Sequence, residues 1–170
     1  MDRLPPGVQE FLDHWRSFPR TGLVPHIRAY LDRVVAHLQP NVLMLDVVSA
    51  ERLEVRLFGT RLADITGMEI TKTNALENYP EPLRAEVGKS CVTMVSHPCG
   101  QLTNRSIRTS GGSVIAATSI ALPLLVDRPV LGCIVAFTAY RDAIDTDSRM
   151  MMVQSITARE WIDIGAGVPS

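Results

Sequence analysis

Cys91, His97 and Cys99 lie close together in the chain and offer its nearest approach to a nucleophile or a metal site. A catalytic thiolate needs a base within hydrogen-bond reach. If one helix carries Cys91 and His97, the six-residue separation turns them about 240° apart at roughly 100° per residue. They then face different directions, and no dyad is expected. His97-Pro98-Cys99 puts two possible metal ligands near a helix end, but a zinc site normally needs four with recognisable spacing, and no second pair follows. No metal is expected. The three cysteines, Cys91, Cys99 and Cys133, are an odd number, and none sits in a Cys-x-x-Cys pair. On one helix Cys91 and Cys99 would stand about 12 Å apart at roughly 1.5 Å per residue, beyond the reach of a disulfide. All three read as reduced, small apolar residues.

Asp46 interrupts an apolar run, so if buried it needs a partner, and Arg56 on the following segment is within reach. A structural ion pair or a solvated strand-end carboxylate describes it better than ligand contact. Gly111-Gly112 has the composition of a hairpin turn with positive φ rather than a phosphate loop, because no helix follows to present its amides. Thr60 and Gly67 read as a cap and a stop for one short helix.

The elements that position these residues follow from hydrophobic spacing. Val8, Phe11, Leu12, Trp15 and Phe18 predict an amphipathic helix over 7–18, and Ile27, Tyr30, Leu31, Val34, Val35 and Leu38 predict a second between Pro25 and Pro40. The run Val42 to Val48 has the length of a central strand, and Leu53, Val55 and Leu57 alternate as in a half-buried one. Short helical pieces follow near Arg61–Ile65 and Ala75–Asn78. Leu83, Val87, Cys91, Met94 and Val95 then mark a longer helix ending before Pro98. Three strands close the pattern, around Leu102–Arg108, Ser113–Leu124 and Gly132–Phe137. Met150, Val153, Ile156 and Trp161 suggest a terminal helix capped within Asp145-Thr146-Asp147, and residues beyond Gly165 read as frayed. Five strands with helices inserted after the second make an α+β fold with helices on one sheet face. A pocket would naturally lie beneath those helices.

Bulk composition narrows the function. The chain has 170 residues, 46 % hydrophobic and 21 % charged, with a net charge of −1, ordinary values for one folded domain. No basic run is present to neutralise a phosphate backbone, which argues against a nucleic-acid partner. No apolar stretch approaches the roughly 20 residues needed to span a bilayer, and the first residues lack a signal-peptide layout. A cytoplasmic protein without a membrane partner is the expectation.

The order of elements resembles that of the PAS domain superfamily, in particular the stand-alone alphaproteobacterial type. Arg105 to Gly112 before the hairpin, Ile120-Ala121-Leu122-Pro123-Leu124 after it and Gly132 to Phe137 carry the likeness in the closing half. In the first half, Trp15-Arg16, Gly22-Leu23-Val24-Pro25, Leu43 to Val47, Arg56 to Thr60 and Thr66-Gly67 have similar counterparts. The resemblance implies a five-stranded antiparallel PAS core over 41–143, an extra N-terminal helix pair over 1–40 packed on the sheet or on a dimer partner, and a C-terminal helix or tail over 144–170. It also implies a non-catalytic sensory module that binds a small ligand or a protein partner and transmits a conformational change in trans. A chain of this length has little room for an effector domain, so an unidentified signalling protein is the expected recipient.

In such domains the cavity lies between the inner sheet face and the helices after the second strand. Laid onto that pattern, Ile115, Ala117, Ser119 and Ala121 point inward, joined by Asn104 and Ser106 from the preceding strand and Gly132, Ile134 and Ala136 from the last. Most are small, so either large side chains such as Met94 fill the space or a ligand does. The expected pocket is Met94, Asn104, Ser106, Ala117, Ser119, Ala121 and Ile134. Haem-binding relatives use a histidine along the long helix, whereas His97 stands at its end. Flavin photosensors of the light-oxygen-voltage type carry a cysteine in the segment corresponding to Thr60–Asn74, which here has none. The cofactor is thus left unnamed. A homodimer is expected with Phe11, Trp15 and Phe18 near the contact. The alternatives are a ligand-free interaction adaptor and a small α+β enzyme using the same cavity, the latter lacking a titratable pair among the inward positions.

Overall fold

The computed structural model describes residues 4–109, 112–141 and 150–170. Pro6 occupies the first turn of helix α1 (Pro6–Arg16), where the missing N–H costs nothing. After α2 (Ile27–Leu31) and a single 3₁₀ turn at Gln39–Asn41 come β1 (Val42–Ser49) and β2 (Arg52–Phe58). Helix α3 (Thr60–Thr66), a 3₁₀ turn at Ala75–Asn78 and helix α4 (Glu81–Ser96) follow. Strands β3 (Cys99–Thr109), β4 (Val114–Leu124), β5 (Gly132–Tyr140) and β6 (Met150–Asp163) complete the fold. The described strands form one antiparallel sheet in the order β2-β1-β5-β4-β3-β6.

The fold is α+β, as expected, with six strands rather than five. The sixth replaces the expected terminal helix. Its register explains why the spacing looked helical. Ile107, Arg105 and Thr103 of β3 stand opposite Val153, Ile156 and Arg159, with register shifts that leave extra residues on β6 between them. These bulges carry Val153, Ile156 and Arg159 to one face at three-residue intervals, whereas a regular strand would repeat every two. The proposed cap within 145–147 lies outside the described residues. The second helix is also shorter than its apolar spacing suggests. It ends at Leu31, ahead of the β-branched pair Val34-Val35, which has low helix propensity.

Alternation along the strands gives the sheet two different faces. Val42 and Met44 of β1, Ile120, Leu122 and Leu124 of β4, and Cys133, Val135 and Phe137 of β5 form the outer face, which α1 and α2 cover. There Phe11 stacks on Phe137 with ring centroids 5.5 Å apart. The indole N–H of Trp15 donates to the carbonyl of Pro123 at 3.1 Å. Phe11, Trp15 and Phe18, expected near a dimer contact, are at most 3 % exposed and lie in this intramolecular core. Their apolar area is already covered by the chain's own sheet, so they present none of it to a second copy.

Asp46 also belongs to the outer face. Its carboxylate accepts from the Arg128 guanidinium at 2.6 Å and pairs with Arg56 Nε at 3.5 Å. The expected partner Arg56 is present, joined by the closer Arg128. The ion pair anchors the β4–β5 connection to β1 and stands away from the inner face.

The inner face is covered by α3, the Ala75–Asn78 turn and α4. Helix α4 crosses very close to the β1–β2 turn, because a Cβ at Gly88 would lie 1.8 Å from the Ala50 carbonyl oxygen. Only glycine lets this helix sit so low.

Candidate functional site

A cavity of about 170 Å³ lies between the inner sheet face and the helices. For comparison, an apolar protein cavity of about 150 Å³ accepts benzene or xenon. Leu43 and Leu45 from β1, Leu53 and Phe58 from β2, Leu62 from α3, Val87, Cys91 and Met94 from α4, and Ile134 and Ala136 from β5 give it a mainly apolar wall. Small residues on β4 and β5 leave the volume. Ser119 and Ala121 stand opposite Thr138 and Ala136, and the Ser119 and Thr138 hydroxyls bond each other at 2.8 Å. Met94 is 1 % exposed and borders the space without filling it.

Of the expected pocket residues, Met94, Ser119, Ala121 and Ile134 converge on the cavity. Ala117 faces the same side but packs in a neighbouring cluster with Ile65, Ile107 and Ile115. Asn104 and Ser106 do not line the cavity. Asn104 accepts from Thr118 at 2.9 Å, and the Ser106 and Ser155 hydroxyls lie 2.7 Å apart. The cause is one residue of register. A two-residue turn at Gly111-Gly112 would set Arg108 opposite Ile115, but Arg108 stands opposite Val114. That shift inverts the parity of the whole strand. Gly112 does have the expected positive φ, at 85°, while Gly111 lies outside the described residues.

Inverted parity brings Gln101, Thr103, Arg105 and Ile107 into the cavity wall, and β6 adds Val153, Ile156 and Arg159. Sequence reasoning missed the polar members of this set. The alternate residues Asn104 and Ser106 are just as polar, so composition alone could not choose the face. Arg105 donates to the Tyr79 hydroxyl at 2.9 Å and lies over its ring, 5.7 Å from the centroid. Arg159 donates to Glu86 at 2.7 Å. The side-chain nitrogen Nε2 of Gln101 and the Nε atoms of both arginines are buried without a hydrogen-bond partner.

The cysteines supply no thiolate to this site. Burial raises the Cys91 thiol to about 12, against the opposing pull of the Arg105 and Arg159 charges. It also raises Cys99 to about 11, and burial followed by the Asp46 charge raises Cys133 to about 12. At pH 8 the native thiols should therefore stay protonated and unreactive toward a disulfide reagent, whereas denaturant should release all three at once. Rapid titration of one thiol in the native protein would contradict this placement. His97 is the C-cap of α4, with Nε2 3.4 Å from the Gly167 carbonyl, and does not line the cavity. No cluster of three or more metal-ligating side chains occurs among the described residues. Among them, too, no helix is long and apolar enough to cross a membrane.

The family model described as PAS domain matches residues 4–135. The chain belongs to the PAS domain family. Solved structures similar to it include the PAS domain of an HTR-like protein from Haloarcula marismortui, at 14 % identity and a TM-score of 0.44, covering 67 % of this chain and 93 % of that one. A fungal LOV domain photoreceptor is similar at 16 % identity and a TM-score of 0.46, covering 78 % of this chain and 90 % of that one. No curated protein matches the chain. PAS domains are sensory modules and are generally non-catalytic. They often mediate dimerisation or interaction with partners. The family match ends inside β5, so β6 with its contribution to the cavity lies beyond it.

Proposed function

We propose that this chain is a cytoplasmic, non-catalytic sensory module whose input is a small ligand held in the inner-face cavity. Its output is a conformational change passed to a protein partner, with the chain itself acting as a homodimer. The observation that carries this reading is the space left by Ser119, Ala121 and Ala136 beneath α4, walled mainly by apolar side chains. A ligand-free adaptor would be better served by a filled core, since empty apolar volume costs stability. The PAS core is assigned to 41–143, with the N-terminal helices as an extension covering the outer face.

Ala121→Leu should occupy part of the cavity, at a stability cost no greater than the roughly 1–3 kcal/mol of small-to-large changes. Denaturing mass spectrometry of freshly purified protein should then find a small molecule released by the wild type and absent from the variant. A wild type that releases nothing and binds no small apolar probe favours the adaptor. The homodimer is tested separately by sedimentation, where a monomer at high concentration would overturn it. Its contact must use faces other than the buried stripe of Phe11, Trp15 and Phe18.

A further inference from the structure

We infer that the ligand is a small organic monocarboxylate with a compact apolar body, its anionic end held by Arg105, Gln101 and Arg159. The inference rests on the cavity being the ligand site. Its own basis is a mismatch in the cavity wall between donors and acceptors. Gln101 is 6 % exposed, and its Nε2 is buried without a partner. The Nε atoms of Arg105 and Arg159 are likewise buried and unpartnered. All three are N–H donors, and no acceptor in the described structure answers them. Leaving a buried donor unsatisfied forfeits the hydration it had in the unfolded chain with nothing in return.

Placement gives these groups a common target. Arg159 stands directly across from Thr103 on the neighbouring strand. Gln101 and Arg105 flank Thr103 on the same face of β3, each roughly 7 Å along the strand at about 3.4 Å per residue. All four residues border the cavity. An acceptor-only group among them would meet donors from two strands, and a carboxylate accepts at two oxygens and matches the guanidinium fork.

Charge sets the valence of the ligand. Arg159 is neutralised by Glu86 at 2.7 Å. Arg105 has no ion-pair partner among the described residues and leans on the hydroxyl and ring of Tyr79. The wall therefore holds one uncompensated positive charge, which a monoanion balances. A dianion would carry a second charge into a low-dielectric site without a cation to meet it. The remaining wall is mainly apolar, broken by Thr66, Asn78, Ser119, Thr138 and the two tyrosines Tyr79 and Tyr140, and a volume of about 170 Å³ suits a body about the size of one phenyl ring.

Titration calorimetry with benzoate and with its uncharged analogue benzyl alcohol tests the assignment. Benzoate should bind the wild type at least about tenfold more tightly, since a charge-assisted hydrogen bond contributes about 1.5–3 kcal/mol. Arg105→Gln should bring the ratio of benzoate to benzyl alcohol affinity close to one, and Arg105→Lys should keep part of the benzoate advantage. Should Arg105→Gln fold poorly, the wild-type comparison still decides. Equal affinity of the two probes in the wild type would overturn the carboxylate assignment and leave the cavity standing as a ligand site. If neither probe binds, both this inference and the ligand-binding reading fail.

Discussion

Replacing Trp15 with alanine is expected to destabilise the protein by about 4 kcal/mol, within the range for deleting a fully buried large aromatic side chain. Three contributions act together. The indole is 1 % exposed and central to the outer-face core. Its N–H satisfies the Pro123 carbonyl at 3.1 Å, and its ring lies under the Arg20 guanidinium, 4.6 Å from the centroid. Trp15→Phe separates them, since it keeps most of the area and loses the hydrogen bond, for an expected cost of about 1–2 kcal/mol. Chemical denaturation with an unchanged m-value would measure both. A Trp15→Ala cost below about 1 kcal/mol would show that α1 does not close this face of the sheet in solution.

Gly88→Ala is expected to destabilise by about 3 kcal/mol, through overpacking that the neighbouring backbone cannot relieve. In an unconstrained helix the same change stabilises by about 1 kcal/mol, so even the sign of the result is informative. The added methyl would stand 1.8 Å from the Ala50 carbonyl oxygen, and backbone cannot swing aside as a side-chain tip can. Helix α4 would have to lift from the β1–β2 turn, taking Val87, Cys91 and Met94 of the cavity wall with it. Weaker binding of a cavity probe should therefore accompany the lost stability. A neutral or stabilising Gly88→Ala would mean that α4 sits higher over the sheet than described.

The elements with a single dominant period were legible in the sequence. The stripe from Val8 to Trp15 predicts α1, the stripe from Leu83 to Met94 predicts α4, and Gly67, with φ of 65°, ends α3 where expected. The inner face of β4 came from the PAS resemblance, which put Ser119 and Ala121 on the side where they border the cavity. Two features were hidden for physical reasons. Face assignment on β3 depends on the residue count of the hairpin, and both of its parities carry polar side chains. The fold of the last segment was masked by bulges, which placed Val153, Ile156 and Arg159 three residues apart on one strand face. Both misreadings fall on the β3–β6 wall, which is why Met94, Ser119, Ala121 and Ile134 were expected at the cavity while Gln101, Thr103, Arg105 and Arg159 were not. Asp46 shows the complementary case. Its need for a cation followed from burial alone, but Arg128 lies 82 residues away in sequence and no local pattern points to it.

The inner face of the sheet holds a cavity whose volume of about 170 Å³ can take a small apolar body. It is tested most directly by ¹³C-methyl NMR of methionine-labelled protein under increasing xenon pressure. Met94 borders the cavity on the inner face, and Met44 is packed in the outer core on the opposite face of the sheet. The Met94 methyl resonance should shift saturably with xenon while Met44 stays fixed, and Ala121→Leu should weaken the Met94 response. A Met94 resonance that does not move, or that moves no more than Met44, would contradict the account.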